Sequence, residues 1–184
     1  PFPHPPFFRS MVGFISLVAA ATFAATAIWL GFMFMLVPNV EFISVTVFLS
    51  GLTLGVLFGA MVGGTAMMIY SILNPLGSGL IYIPLLVGQI IAMVGIGAAG
   101  AVTGRLFKSM PLRISIPVAG ISGFICALWY DGITTMAYPV SAGYNWDETL
   151  TYAVSGLIFT FMHAVSNTMI FSIVVPGYLK RLSP

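Results

Sequence analysis

The sequence predicts an all-α, polytopic membrane protein with six transmembrane helices. Of its 184 residues, 59% are hydrophobic and 5% are charged, and the mean hydropathy is +1.09. A soluble domain carries about 25% charged residues. The apolar runs are continuous rather than alternating, which is typical of spanning helices and not of a β-barrel. The lipid bilayer is therefore an expected partner, and the cell membrane is the expected location.

The same composition excludes several functional classes. Six basic and four acidic residues are too few for a nucleic-acid surface. The single cysteine, Cys126, excludes an internal disulfide and a thiolate metal cluster. His4 and His163 are the only histidines, so we expect no protein-only metal site.

The chain begins with a proline-rich segment, PFPHPPFFRS. Its first eight residues are not expected to form regular helix, because proline lacks a backbone N–H and fixes φ. Residues 11–37 follow as an apolar run long enough to span a membrane, and Pro38-Asn39 ends it. We therefore expect an N-terminal segment of residues 1–10 and a single transmembrane domain of residues 11–181.

The predicted topology depends on residues 42–73, which run 32 residues without a charge. As one helix they would measure about 48 Å, against a hydrocarbon core of ~30 Å. Such a helix is too long for one comfortable span, and the stretch is too short for two full spans. Glycines recur every four residues, at Gly51, Gly55, Gly59 and Gly63. Such spacing allows helices to approach backbone to backbone.

Three more apolar runs follow, at residues 80–107, 112–138 and 149–175. A basic turn joins the first two runs, and a polar, aromatic loop at residues 139–148 joins the last two. Each run is long enough for one spanning helix.

The basic residues decide between five spans and six. They fall in three places: Arg9, then Arg105 with Lys108 and Arg113, then Lys180 with Arg181. If residues 42–73 form a hairpin broken near Gly51 to Gly55, all six lie on one side of the membrane. Glu41, Asp147 and Glu148 then lie on the other side. Lys and Arg residues of short loops stay on the cytoplasmic side. We therefore expect six helices with both termini in the cytoplasm. We also expect that the first of the two short helices is not a full straight span. One long helix and five spans is the alternative.

Small residues of the first helix form a candidate docking surface for a partner protein. Ala20 and Ala24 are four residues apart, and so are Ala21 and Ala25. The small residues of the whole run AAATFAATA cover more than half of the helix circumference, so one part can pack inside while another presents a smooth face. Internal packing of the whole set is the alternative.

Polar residues within apolar spans are costly and mark functional sites. His163 and Asn167 are four residues apart and share a helix face. The candidate substrate-binding residues, from the spans and the outer connections, are Asn74, Gln89, Trp129, Asp131, Tyr138, Asn145, Trp146, His163 and Asn167. Convergence on one outward-opening cavity would match the anatomy of small-molecule sites. In the alternative, the polar groups only join neighbouring helices and the aromatic residues form an interfacial belt.

Motifs of enzymes and nucleotide-binding proteins do not occur in this sequence. It contains no HExxH, no phosphate loop with its lysine, no CxxC and no GxSxG. We therefore expect no enzyme activity, no catalytic residue and no cofactor. If the protein transports a solute, we expect a partner to supply the energy.

Several stretches together resemble one transporter family. They are the alanine-rich first helix (AAATFAATA), the outer segment LVPNVE, the glycine-rich GLTLGVLFGAMVGG, the LNPLG turn, and Gln89 with GIGAAGAVTGR. Over most of residues 11–181 the chain resembles the substrate-binding S components of energy-coupling factor (ECF) vitamin transporters of bacteria.

The resemblance implies capture of a vitamin or related micronutrient from outside. The implied partners are a transmembrane coupling subunit, which docks on an AxxxA face of the first helix, and two cytoplasmic ATPases. Cobalt and nickel members use a histidine near a free N-terminus, which His4 does not match, so no metal substrate is expected. The alternative function is a non-transporting structural or scaffold subunit of a membrane complex.

Overall fold

The protein is entirely helical in its described part. The computed structural model describes the backbone of residues 6–182 and the side chains of residues 13–181. Over that part it has seven α-helices, one 3-10 helix and no strand. The α-helices are α1 (Pro6–Phe34), α2 (Ile43–Leu54), α3 (Val56–Leu73), α4 (Ile83–Ser109), α5 (Leu112–Ala142), α6 (Trp146–Ser155) and α7 (Leu157–Leu182); the 3-10 helix is Gly79–Ile81. The all-α prediction is confirmed.

Five of these helices are long and apolar enough to cross a membrane: α1, α3, α4, α5 and α7. The shorter α2 has 12 residues and measures about 18 Å, well under the ~30 Å of a hydrocarbon core. These lengths and compositions indicate a multi-pass membrane protein.

The helix break within residues 42–73 occurs at Gly55. This residue has φ of +90°, a conformation that glycine adopts without a Cβ clash. Its N–H donates to Gly51 at 2.8 Å, and its carbonyl accepts from Gly59 at 2.9 Å, so backbone hydrogen bonds continue across the turn. The predicted hairpin of two short helices is confirmed, and the single long helix is wrong.

A glycine junction holds α2 and α3 against α4. A Cβ added to Gly59 would lie 2.5 Å from Gly51 Cα and 2.7 Å from Gly97 O. A Cβ on Gly51 or Gly97 would likewise overlap backbone atoms of the facing helix. Gly63 approaches the Met93 carbonyl in the same way. The regularly spaced glycines therefore serve internal packing, backbone against backbone.

The register of α2 places its start deep in the bundle. α2 runs parallel to α4, with Ser44 Oγ at 3.9 Å from Met93 Sδ and Leu52 beside Gly104. Met93 is ten residues, about 15 Å, past the start of α4. Gly31, one turn before the end of α1, faces both Ile43 at the start of α2 and Tyr70. The connection of residues 35–42 therefore returns by about one helical turn from the end of α1 to the start of α2, without regular helix.

Contacts between the helices also fix their directions. α1, α3 and α5 run one way, and α2, α4 and α7 run the other way. The helix ends that carry Arg9, Arg105, Lys108, Arg113, Lys180 and Arg181 consequently lie together at one end of the bundle, called here the basic end.

The segment between α5 and α7 differs from the prediction. α5 continues through Pro139 to Ala142 and ends at Gly143, which has φ of +71°. The last long helix begins at Leu157 rather than at residue 149. Between them, α6 is started by a capping box, in which Asn145 accepts from Glu148 N at 3.0 Å and Glu148 accepts from Asn145 N at 2.8 Å.

The N-terminal prediction needs a similar correction. α1 begins at Pro6, so residues 6–8 are helical and not irregular. Proline is tolerated at the first helical position, because the N–H that it lacks has no partner within the helix there. Residues 1–5, including His4, lie outside the described residues.

Candidate functional site

A polar cluster joins three elements of the bundle: the connection before α2, α5 and α7. It consists of Glu41, Asp131, His163 and Asn167, called here the Glu41 cluster. His163 Nδ1 lies 2.9 Å from Asp131 Oδ1, and His163 Nε2 lies 3.7 Å from Glu41 Oε1. The Asn167 amide nitrogen lies 2.6 Å from His163 Nε2 and donates to Glu41 Oε1 at 3.3 Å. Residues far apart in sequence thus form one hydrogen-bonded group.

Glu41 is held at the N-terminus of α2. Its Oε2 accepts from the backbone N–H of Ser44 at 2.9 Å, and the helix dipole favours a negative charge there. The Glu41 side chain thus joins the first turn of α2 to His163 and Asn167.

Sequence reasoning missed Glu41 as a site residue. The structure brings its side chain, which is 24% exposed, to His163 and Asn167, where α2 begins at the depth of Met93. One signal was available: Glu41 is the only acid in the first 130 residues, and it directly precedes an apolar helix.

Two acceptor atoms of the cluster have no hydrogen-bond partner. They are Asp131 Oδ2 and Asn167 Oδ1, both of which are buried. A buried polar atom without a partner costs about 1–3 kcal/mol. The cluster therefore has unused capacity to accept hydrogen bonds from a further donor.

A cavity of about 280 Å³ adjoins the cluster. Its wall combines aromatic rings with the charged groups: Phe34, Glu41, Tyr70, Tyr130, Asp131 and His163. Backbone of the connection, residues 37–41, forms part of the same wall. Within a bilayer, irregular backbone is tolerated where it is buried in protein or lines a cavity. An apolar lining with a few convergent polar groups is the usual character of a small-molecule site.

Three predicted site residues belong to this cluster, and two others support the packing around it. Asp131, His163 and Asn167 meet as described, and the first two line the cavity. Gln89 accepts a hydrogen bond from Ser71 at 2.9 Å, joining α4 to α3. Trp129 donates to the Ala92 carbonyl at 3.1 Å, joining α5 to α4.

The other four predicted residues lie away from the cavity. Asn74 accepts from Leu76 N at 2.9 Å and shapes the turn after α3. Asn145 caps α6, and Trp146 is 75% exposed. Tyr138 stacks on Tyr152 with ring centroids 5.5 Å apart, near the C-terminal end of α5. The segment around α6 thus forms an aromatic cluster of its own rather than a wall of the cavity.

The four candidate docking alanines divide between two faces of α1. Ala20 is buried, and Ala24 is half-buried against the core. Ala21 and Ala25 are exposed. Only Ala21 and Ala25, called here the Ala21 face, are open to a partner, and a docking role for Ala20 is wrong because its side chain packs inside.

Comparison with known proteins identifies no relative. No model of a protein family, no curated protein and no solved structure matches this chain.

Proposed function

We propose that the protein is the membrane-embedded substrate-capture subunit of an ECF-type, ATP-driven importer for a vitamin or related small micronutrient. The observation that carries the proposal is the cavity beside the Glu41 cluster. It lies within the bundle, and its wall combines aromatic rings with two carboxyl groups and an imidazole. Ionisable groups inside a membrane are retained mainly where they handle a solute or an ion.

The proposed topology has six passes with both termini in the cytoplasm. Five passes are α1, α3, α4, α5 and α7, and the second pass consists of the connection followed by α2. The basic end then faces the cytoplasm, as expected for Lys- and Arg-rich helix ends. In this orientation the connection descends from the outer surface, and the cavity lies within reach of a solute arriving from outside.

Two observations support the proposed partners: the absence of a phosphate-binding loop from the sequence and the exposed Ala21 face of α1. The sequence has no phosphate-binding loop, so ATP hydrolysis belongs to two cytoplasmic ATPases. The Ala21 face is smooth enough for close approach of a second helix, which we assign to the transmembrane coupling subunit.

Mass spectrometry of small molecules released from the purified protein tests solute capture. We expect a stoichiometric micronutrient from the unchanged protein in mild detergent, and its loss from Asp131→Ala. Asp147→Ala, at an exposed acid of α6, is the matched control and should keep the solute. An empty protein that co-purifies with membrane proteins lacking any ATPase would overturn the proposal in favour of the scaffold function.

Docking is tested by co-purification with the coupling subunit. Ala21→Leu and Ala25→Leu should each reduce the recovered complex while leaving the released solute unchanged. Ala142→Leu, at the exposed last residue of α5, adds the same bulk elsewhere and should have no effect. Full recovery of the complex with both alanine variants would contradict the assigned surface.

A further inference from the structure

We infer that the cavity beside the Glu41 cluster takes a small organic cation, an ammonium or amidinium group on a compact flat body. This inference rests on the proposed capture of a solute and adds its chemical class. Three observations support it: the charge of the cluster, the position of the basic residues, and the aromatic wall.

The cluster has more negative than positive charge. It holds two carboxylates, Glu41 and Asp131, around one imidazole, His163. Asn167 contributes no charge. The cluster therefore has one more acidic group than it has basic groups, and a cationic ligand can offset this excess.

Basic side chains lie too far away to supply that compensation. Arg105 follows Met93 by 12 residues of α4, about 18 Å, and Arg113 precedes Asp131 by 18 residues of α5, about 27 Å. Lys180 is 17 residues past His163, about 25 Å along α7. Over residues 13–181, all five Lys and Arg side chains are exposed and lie at the basic end.

Burial in the bundle makes these carboxyl groups energetically unfavourable when no ligand is bound. A carboxylate removed from water needs a partner charge and further hydrogen bonds to offset its lost hydration. Asp131 has the imidazole of His163 at Oδ1 but no hydrogen bond at Oδ2, so its lost hydration is only partly replaced. A cationic group in the adjoining cavity would add favourable charge interactions with Asp131 and Glu41.

The aromatic wall favours the same ligand class. Phe34, Tyr70 and Tyr130 line the cavity together with the two carboxylates. Ring faces attract a cation and also pack against a flat apolar body, whereas they offer nothing specific to an anion. A cavity of about 280 Å³ lies at the small end of ligand sites, so a single ring with one charged substituent fits its size.

Three probes of nearly identical shape separate charge from size: benzamidinium, benzamide and benzoate. Binding to the purified full chain in detergent is measured by isothermal titration calorimetry, after any co-purified solute has been removed by dialysis. We expect benzamidinium to bind about tenfold tighter than benzamide, and benzoate to bind more weakly than both. Asp131→Asn should remove the preference for benzamidinium, because the side-chain shape is kept and the charge is lost. Asp147→Asn is the matched control and should preserve it.

If Asp131→Asn does not fold, Glu41→Gln gives the same test at the second carboxylate. Equal binding of benzamide and benzamidinium, preference for benzoate, or binding by none of the three probes would overturn the cation inference. Mass spectrometry distinguishes this failure from failure of solute capture. A neutral or anionic micronutrient released from the protein would refute the cation class alone, whereas an empty protein that binds no probe would refute both.

Discussion

The close contact of Gly51, Gly59 and Gly97 predicts that Gly59→Ala lowers the thermal stability of the protein. The added Cβ would lie 2.5 Å from Gly51 Cα and 2.7 Å from Gly97 O. Ordinary van der Waals contacts begin at 3.4 Å, so α3 would have to move about 0.9 Å from α2 and about 0.7 Å from α4. Both neighbours are backbone atoms, which cannot rotate away.

The expected cost follows from the two opposing effects of the substitution. Overpacking costs about 1–3 kcal/mol, and a contact between rigid backbones belongs at the upper end, about 3 kcal/mol. Alanine recovers about 1 kcal/mol because it favours helix over glycine. The net loss is about 2 kcal/mol, which lowers the midpoint of thermal unfolding by roughly 4–8 °C for a chain of this size.

Thermal unfolding in detergent, followed by circular dichroism, measures this shift. Gly64→Ala on the same helix is the matched control. Its Cβ would lie 3.3 Å from a Val94 methyl group, which can rotate, so the midpoint should stay the same or rise. A Gly59→Ala midpoint at or above that of the unchanged protein would refute the backbone-to-backbone packing of α2, α3 and α4.

Three further predictions concern the cap of α6, a hydrogen bond near the basic end, and the N-terminus of α2. Asn145→Ala removes the capping box and should destabilise Trp146–Ser155 by about 1 kcal/mol, seen as faster amide hydrogen exchange there; unchanged exchange would contradict the cap. Tyr178→Phe removes the 2.9 Å hydroxyl contact with Thr53 and should cost about 0.5–1.5 kcal/mol in thermal unfolding, which a neutral result would disprove. Glu41→Ala removes the acceptor of the Ser44 N–H and should cost about 0.5–2 kcal/mol in thermal unfolding, and an unchanged midpoint would count against Glu41 as the cap of α2.

The sequence was sufficient to predict the broken helix. The length of residues 42–73 against the thickness of a bilayer left one helix or two open, and the grouping of all six basic residues on one side indicated two short helices. Gly55 is the break because it is the residue in this stretch with positive φ. The face shared by His163 and Asn167 was likewise visible from their spacing of four residues.

The position of Glu41 could not be predicted in the same way. A proline, an asparagine and an acid after a long apolar run are typical of an exposed loop. The depth of this segment is set by contacts distant in sequence, where α2 packs along α4 through Gly51 and Gly97. Local pattern contains no information about that register.

The segment around α6 was predictable in part and was missed. Asn145 and Glu148 have the spacing of a capping box, which marks a helix start. The apolar character of residues 149–175 nevertheless favoured one continuous helix. The separation at Gly156 depends on a turn in which its N–H donates to Ala153 at 3.2 Å, and composition does not reveal such a turn.

The short α2 has a mechanical consequence. It is a rigid rod of about 18 Å whose two ends lie in different environments: Gly55 at the basic end and Glu41 at the cavity. Its close contacts with α4 run along the whole rod, from Ser44 against Met93, through Phe48 against Gly100, to Leu52 against Gly104. A tilt of 10° about Gly55 would displace Glu41 by about 3 Å and would break those contacts. The packing of α2 thus makes it a strut, which fixes the height at which Glu41 meets Asn167 and His163.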